Sequence, residues 1–117
     1  MRDIRFRAWA KYGEMLPNVQ NHINGDWAFG HMLNKPDEFI IMQYIGRKDD
    51  NGVDIYEGDI VSDHVGIGII KYSEIKAAYK VSYNDGFAKW FIDYMNKYER
   101  NSIEVIGNIH EHPELLK

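Results

Sequence analysis

Residues 42–61, MQYIGRKDDNGVDIYEGDIV, contain the pattern that decides the fold of this chain. Apolar residues typical of a strand lead into the polar run Lys48–Gly52, and Ile55-Tyr56 forms a second, short strand. Gly58 and Asp59 predict a tight corner, because glycine accepts positive φ and aspartate is frequent in turns. A third strand follows at once, so the stretch is typical of a small β-rich protein.

Period-two patterns continue on both sides of this stretch. At the N-terminus, Ile4, Phe6 and Ala8 alternate with arginines and a tryptophan, which predicts a strand with one buried face. Further strands are predicted at 38–44, 66–72, 78–83, 87–94 and 103–109, the last interrupted at 107–108, with a hairpin turn at 84–86 and a terminal helical turn at 113–116. The fold class is therefore all-β, a small barrel or curled sheet.

Residues 11–36 are the least regular part of the chain. They contain two of the three prolines, four asparagines and the turn dipeptide Asn24-Gly25. We expect a long excursion with one short hairpin at most. Long ordered loops are often functional, so protein-specific behaviour is expected here.

Length and charge exclude several classes of protein. A chain of 117 residues is expected to form a single domain, 1–117. The absence of cysteine excludes disulfides, thiolate metal sites and thiol nucleophiles. When the chain is divided after Gly58, each half has 7 basic and 9 acidic residues and so carries −2. This balance disfavours non-specific nucleic-acid binding, which needs clustered lysine and arginine.

No membrane association is expected. The N-terminus, MRDIRFR, is charged and alternating and does not have the apolar core of a secretory signal. No apolar run approaches the ~20 residues that a membrane span requires. The sequence predicts a soluble protein of the cytoplasm.

Three blocks resemble the YopX family of bacteriophage and prophage proteins. They are IRFRAW at 4–9; MQY at 42–44 with glycine 46, KD at 48–49, NG at 51–52 and IYEGDIV at 55–61; and EVIGNI at 104–109 with PELL at 113–116. The middle block is the specific one, and the order and spacing hold across nearly the whole chain. Ala10, Ile45 and Asp50 depart from the family pattern at turn or surface positions.

The resemblance implies an SH3-like small barrel preceded by an N-terminal strand and a long irregular loop. It also implies a phage or prophage origin and a bacterial host's cytoplasm as the place of action. The family has no established biochemical activity, so the resemblance implies no catalytic residues.

Two motifs resemble metal sites. Asp49, Asn51 and Gly52 are spaced as in a calcium loop, but Arg47 would then take the first ligand position and Gly58 the last. A solvated turn is the better interpretation. His110 and His112 lie on one side of a predicted strand, yet a metal site needs a third ligand, so two exposed histidines before a proline turn are favoured.

Acidic and aromatic residues offer two further candidates. Glu57 and Asp59 flank Gly58 and could act as an acid–base pair, but acidic residues in a corner more often bind main-chain N–H groups or water. Exposed tyrosines could stack on bases or a partner, although strand aromatics are more often core. The tyrosines concerned are Tyr44, Tyr56, Tyr72, Tyr79 and Tyr83.

These observations favour a non-enzymatic binding protein with no cofactor and no metal. The expected partner is another protein or a second copy of the chain. The candidate interaction surface consists of apolar and aromatic residues, namely Trp27, Phe29, Met32, Tyr44 and Tyr56. The alternative is a nucleic-acid-binding accessory protein that uses Arg2, Arg5 and Arg7 near exposed aromatics.

Overall fold

A computed structural model describes residues 3–23, 25, 28–90 and 102–116. The strands are β1 Phe6–Ala10, β2 Glu14–Leu16, β3 Phe39–Lys48, β4 Asp54–Tyr56, β5 Asp59–Ser62, β6 Ile67–Ser73, β7 Ala78–Tyr83, β8 Ala88–Trp90 and β9 Glu104–Asn108. The helices are α1, Phe29–Leu33, and two 3-10 turns, Val19–Asn21 and Pro113–Leu116. The all-β prediction is confirmed, and so is the terminal helical turn. The predicted strand 87–94 is observed as β8, and its residues 91–94 lie outside the described residues.

The strands form two antiparallel sheets, one in the order β2-β1-β3-β4 and one in the order β8-β7-β6-β5-β9. The chain divides into two compact units, Met1–Gly46 and Arg47–Lys117, called here the N-terminal and C-terminal units. The prediction that 1–117 behaves as a single domain stays a prediction.

The N-terminal unit packs short segments against an alanine-rich strand. Ala8 and Ala10 of β1 are completely buried, and their small side chains leave room for Val19 and Met32, which are also completely buried. The ring of Phe6 lies 5.0 Å from that of Phe29, between centroids. The predicted excursion over 11–36 thus contains the hairpin partner β2 and the helix α1, which the sequence pattern did not predict.

The C-terminal unit contains the five-stranded sheet. Strands β5 to β8 form a meander, and β9 returns beside β5. This order, with the last strand flanking the first, is that of a small half-barrel. Ile60 pairs with Gly107 but Val61 pairs with Val105, so Ile106 is an extra residue in β9. The predicted interruption at Gly107-Asn108 is therefore a β-bulge one residue earlier, and the strand continues to Asn108.

The corner between β4 and β5 has the geometry predicted from its sequence. Gly58 has φ +83°, and its N–H donates to the Ile70 carbonyl at 2.9 Å. The Asp59 carboxylate is 1% exposed and accepts the Tyr56 N–H at 2.7 Å. Of the two roles considered for acidic residues at this corner, Asp59 has that of a main-chain acceptor.

The turn at 48–52, which the sequence predicts to be solvated, contains a buried aspartate, so that prediction is wrong for Asp49. Gly52 does have positive φ, +81°, but the Asp49 side chain is only 6% exposed. Its carboxylate accepts N–H groups from Asn51 at 2.9 Å, Val53 at 2.8 Å and Val105 at 2.9 Å. Burial acts to raise the pKa of Asp49, but the three donors outweigh it and the pKa lies below its ordinary value. Asp49 therefore ties the turn before β4 to β9.

The chain turns back on itself after β9. The Asn108 side chain accepts N–H groups from His110 and Glu111, at 3.1 and 2.9 Å. The main-chain N–H of Asn108 donates to His112 Nδ1 at 3.2 Å. The His112 ring lies against Gly107, where an added Cβ would be 2.8 Å from Nδ1. The histidine pair thus belongs to a folded turn, with His112 half-buried.

Candidate functional site

The predicted interaction surface does not form in this structure. Met32 is completely buried, Tyr44 and Tyr56 are 7% and 8% exposed, and Phe29 is half-buried against the N-terminal core. Trp27 lies outside the described residues. The prediction is wrong for Met32, Tyr44 and Tyr56, because these side chains complete cores rather than contact solvent.

The arginines of β1 are engaged within the N-terminal unit. The Arg5 guanidinium lies over the Tyr44 ring, 4.1 Å from its centroid, and Arg5 Nε lies 3.1 Å from the Asp3 carboxylate. Arg7 is half-buried, with Nη2 3.8 Å from Met42 Sδ. Arg2 lies outside the described residues. These contacts favour a structural use of Arg5 and Arg7 over nucleic-acid binding.

An open cleft in the N-terminal unit is the better candidate site. Its volume is about 450 Å³. The lining comes from the turn after β1, from α1 and from the turn that leads into β3, and consists of Lys11, Tyr12, His31, Lys35, Asp37, Glu38 and Phe39. The cleft therefore lies within the region 11–36 and its border, where protein-specific behaviour was expected.

Main-chain hydrogen bonds hold the walls of the cleft in place. The Lys11 N–H donates to the Glu38 carbonyl at 2.9 Å and joins the two turns. The N–H groups of Glu38 and Phe39 both donate to the Lys35 carbonyl, at 3.0 Å, and the Lys35 N–H donates to the Met32 carbonyl at 3.1 Å. These bonds are made by main-chain groups, so they do not engage the side chains of Lys11, Lys35 and Glu38.

The lining combines both charges with aromatic surface. Lys11, Asp37 and Glu38 are exposed, whereas Phe39 is 8% exposed. In the described part of the chain, neither Lys11 nor Lys35 forms an ion pair. Cations, carboxylates and an apolar ring within one cleft suit a ligand that itself carries charged and apolar groups.

Tyr12 stands at the rim, and a neighbouring carboxylate orients it. Its side chain is 65% exposed, and its hydroxyl donates to Glu14 Oε2 at 2.8 Å. The pKa of Tyr12 is raised, first by this hydrogen bond and then by desolvation and by the charge of Glu14. The phenol therefore stays protonated at neutral pH, as a hydrogen-bond donor with an exposed ring.

The candidate cleft lies in the irregular region 11–36 and at its border, but its lining differs from the residues named from the sequence. Those residues are apolar or aromatic and mostly buried, whereas Lys11, Tyr12 and residues 35–38 were not named. The available signal was the placement of charged residues at both turns, Lys11-Tyr12-Gly13 after β1 and Lys35-Pro36-Asp37-Glu38 before β3.

The described residues contain no group of three or more His, Cys, Asp or Glu residues placed to hold a metal ion. Nor does the described part include a helix of the length and apolar character that crossing a membrane demands.

Comparison with known proteins identifies the family of this chain. The sequence profile of the YopX protein family matches residues 5–117. A crystal structure of protein EF1440 from Enterococcus faecalis is similar, with 28% identity, a TM-score of 0.62 and coverage of 100% of both chains. No curated protein matches the chain. Because the match spans nearly all of the sequence, the chain belongs to the YopX protein family.

Proposed function

We propose that this chain is a non-enzymatic binding protein that holds a segment of another protein in the cleft of its N-terminal unit. A second copy of the chain can supply that segment. The resemblance to phage and prophage proteins supports a phage-encoded role, and a chain without cysteine suits the host cytoplasm.

The combination of charged and aromatic side chains that line the cleft supports the proposal. Lys11 and Lys35 offer donors to a carboxylate, Asp37 and Glu38 accept from a cation, and Tyr12 at the rim offers aromatic surface. A peptide segment presents all three kinds of group at once. Small-molecule pockets are instead mostly apolar and enclose the ligand, whereas Tyr12, Lys11 and Glu38 of this cleft are exposed.

Nucleic acid fits the cleft poorly. A phosphate that approached Lys11 or Lys35 would also approach Asp37 and Glu38, which line the same space. The like charges would repel each other, because a carboxylate cannot neutralise a phosphate.

Catalysis at the cleft is also disfavoured. The lining residues do not include serine, threonine or cysteine, the usual nucleophiles of covalent catalysis. The raised pKa of Tyr12 opposes its ionisation. The remaining candidates for general acid–base catalysis in the lining, His31, Asp37 and Glu38, have no serine, threonine or cysteine there to activate.

Selection from a random peptide library tests the proposal. The purified chain is the bait, and selected peptides are titrated against the chain and against Lys11→Gln/Lys35→Gln. The matched control is Arg47→Gln/Lys76→Gln, which removes the same charge from two exposed positions of the C-terminal unit. We expect selected peptides to pair an aromatic or aliphatic residue with an acidic one.

The cleft variant should bind selected peptides at least about tenfold more weakly, since two hydrogen bonds to charged groups are lost. The control should bind them unchanged. Peptides that bind both variants equally, or a library that yields none, would contradict the proposal. Sedimentation of the protein alone shows whether the bound segment comes from a second copy, in which case the cleft variant is monomeric.

A further inference from the structure

The outward face of β6, β7 and β8 contains a second feature, in the C-terminal unit. Lys71 of β6 lies directly opposite Lys80 of β7, and Lys80 lies opposite Trp90 of β8. The side chains of Ile70 and Val81, which pair with each other, point into the core and are 1% and 0% exposed. Since side chains alternate along a strand, Lys71, Lys80 and Trp90 form one row on the opposite face, called here the lysine row.

The lysine row concentrates positive charge on an acidic chain. The three strands contain Lys71, Lys80 and Lys89 and no aspartate or glutamate, although the whole chain carries −4. Glu74 and Asp85 lie in the turns between these strands, and Asp93, three residues after Trp90, lies outside the described residues. Neither Lys71 nor Lys80 forms an ion pair with any described residue.

Like charges directly opposite each other destabilise an antiparallel pair. Lys71 is exposed and Lys80 half-buried, so the second ammonium is less able to turn away into solvent. In the described part of the chain these two ammonium groups have no ion-pair partner, so the arrangement is complementary to an anionic ligand.

The tryptophan in the row narrows the class of anion. Trp90 is half-buried, and Lys80 Nζ lies 5.9 Å from the centroid of its ring. An aromatic face beside two ammonium groups is the combination with which sequence-tolerant proteins hold single strands, by stacking a base and neutralising the adjacent phosphates. A duplex keeps its bases stacked inside and cannot use the ring in this way.

We propose that the lysine row binds single-stranded nucleic acid, with phosphates on Lys71 and Lys80 and a base against Trp90. An acidic peptide would satisfy the two lysines but would gain nothing specific from the indole, so it is the weaker fit. The proposal does not depend on the cleft, which lies in the other unit.

Fluorescence anisotropy with a labelled oligo-dT of about 15 nucleotides tests the proposal, since single-strand site sizes run to about 16 nucleotides. Salt is varied from about 20 to about 200 mM. Two neutralised phosphates predict a slope of log K against log salt of about −1.4. We expect weak binding at low salt, because the row neutralises only two charges.

Three variants locate the binding. Lys71→Gln/Lys80→Gln should abolish the salt dependence, and Trp90→Leu should weaken binding roughly tenfold through loss of one stacked base. Trp90→Tyr keeps an aromatic face and should retain most of the affinity. The matched control Arg47→Gln/Lys76→Gln, which removes two exposed positive charges elsewhere in the C-terminal unit, should bind like the parent chain. Circular dichroism of each variant confirms that it folds.

Four results would overturn the proposal: no binding at the lowest salt, equal loss in the row and control variants, duplex binding as tight as single-strand binding, or equal competition by oligoglutamate. The last result would assign the row to an acidic protein instead. A Trp90→Tyr variant that folds but binds no better than Trp90→Leu would exclude the stacking contact.

Discussion

In the C-terminal unit, aspartate carboxylates hold the turns by accepting main-chain N–H groups. Asp49 and Asp59 do so at the two ends of β4, and Asp63 accepts from Val65 and Gly66 after β5. In the N-terminal unit, main-chain groups close the turns at 11–13 and 35–39 by bonding to one another.

This difference shows which turns depend on a side chain. A turn whose carboxylate accepts N–H groups cannot change that residue without losing those bonds. A turn closed by its backbone leaves its side chains to solvent, as Lys11 and Glu38 show. Substitution of the aspartates should therefore destabilise the C-terminal turns, whereas substitution of Lys11 or Glu38 should leave the N-terminal turns closed.

The largest effect is expected from Asp49→Ala. It leaves three partly buried N–H groups without the carboxylate that accepts them, so the free energy of unfolding should fall by about 3 kcal/mol. Urea denaturation followed by circular dichroism measures the loss.

Asp50→Ala is the matched control, because the neighbouring Asp50 side chain is exposed. It should change stability by less than about 0.5 kcal/mol. Equal losses in the two variants would contradict the scaffold role of Asp49. If the chain is one domain, probes in both units should report the same transition for Asp49→Ala.

Gly58→Val should cost more than about 1 kcal/mol, because a β-branched side chain is strained at positive φ. Gly58 has φ +83° at the β4–β5 corner. Thermal unfolding compares it with Gly30→Ala in α1, which has open space around the added Cβ and should be neutral or slightly stabilising. A tolerated valine would show that the corner can be rebuilt, which would weaken the contrast between the units.

Asp49 also predicts a dependence of stability on pH. Its pKa is lower in the folded chain than in the unfolded chain, so its contribution is complete above the unfolded value of about 3.9. The contribution is lost as pH falls through the lower, folded value. Unfolding measured between about pH 5 and pH 2 should therefore show a smaller acid-induced loss in Asp49→Asn than in the parent chain. Parallel curves would assign the acid sensitivity to other carboxylates.

The smallest effect is expected from Lys11→Gln/Lys35→Gln. Both lysines lie at turns closed by main-chain bonds, so stability should change by less than about 0.5 kcal/mol. A loss above about 1 kcal/mol in the same urea titration would mean that the cleft side chains support the fold, as the C-terminal aspartates do.

Local patterns predicted the strands well and the long-range contacts poorly. The bounds of β7, 78–83, follow from alternation that ends at Asn84-Asp85-Gly86, and the conformation of Gly58 follows from corner chemistry. The burial of Asp49 depends on Val105, 56 residues away, which no local pattern contains.

The cleft shows the same limit. It exists because the Lys11 N–H meets the Glu38 carbonyl and brings two distant turns together. Met32 was expected on a surface and is completely buried in the core of the N-terminal unit. Alternation does not tell a core from a surface in an irregular segment.

The packing of His112 against Gly107 has an evolutionary consequence. Because a Cβ at position 107 would lie 2.8 Å from the His112 ring, the two positions cannot enlarge independently. Relatives with alanine or a larger residue at the position of Gly107 should have a smaller residue, or a reoriented turn, at that of His112. An alignment of family sequences should therefore show these two positions changing together, five residues apart, where neighbouring exposed positions drift separately.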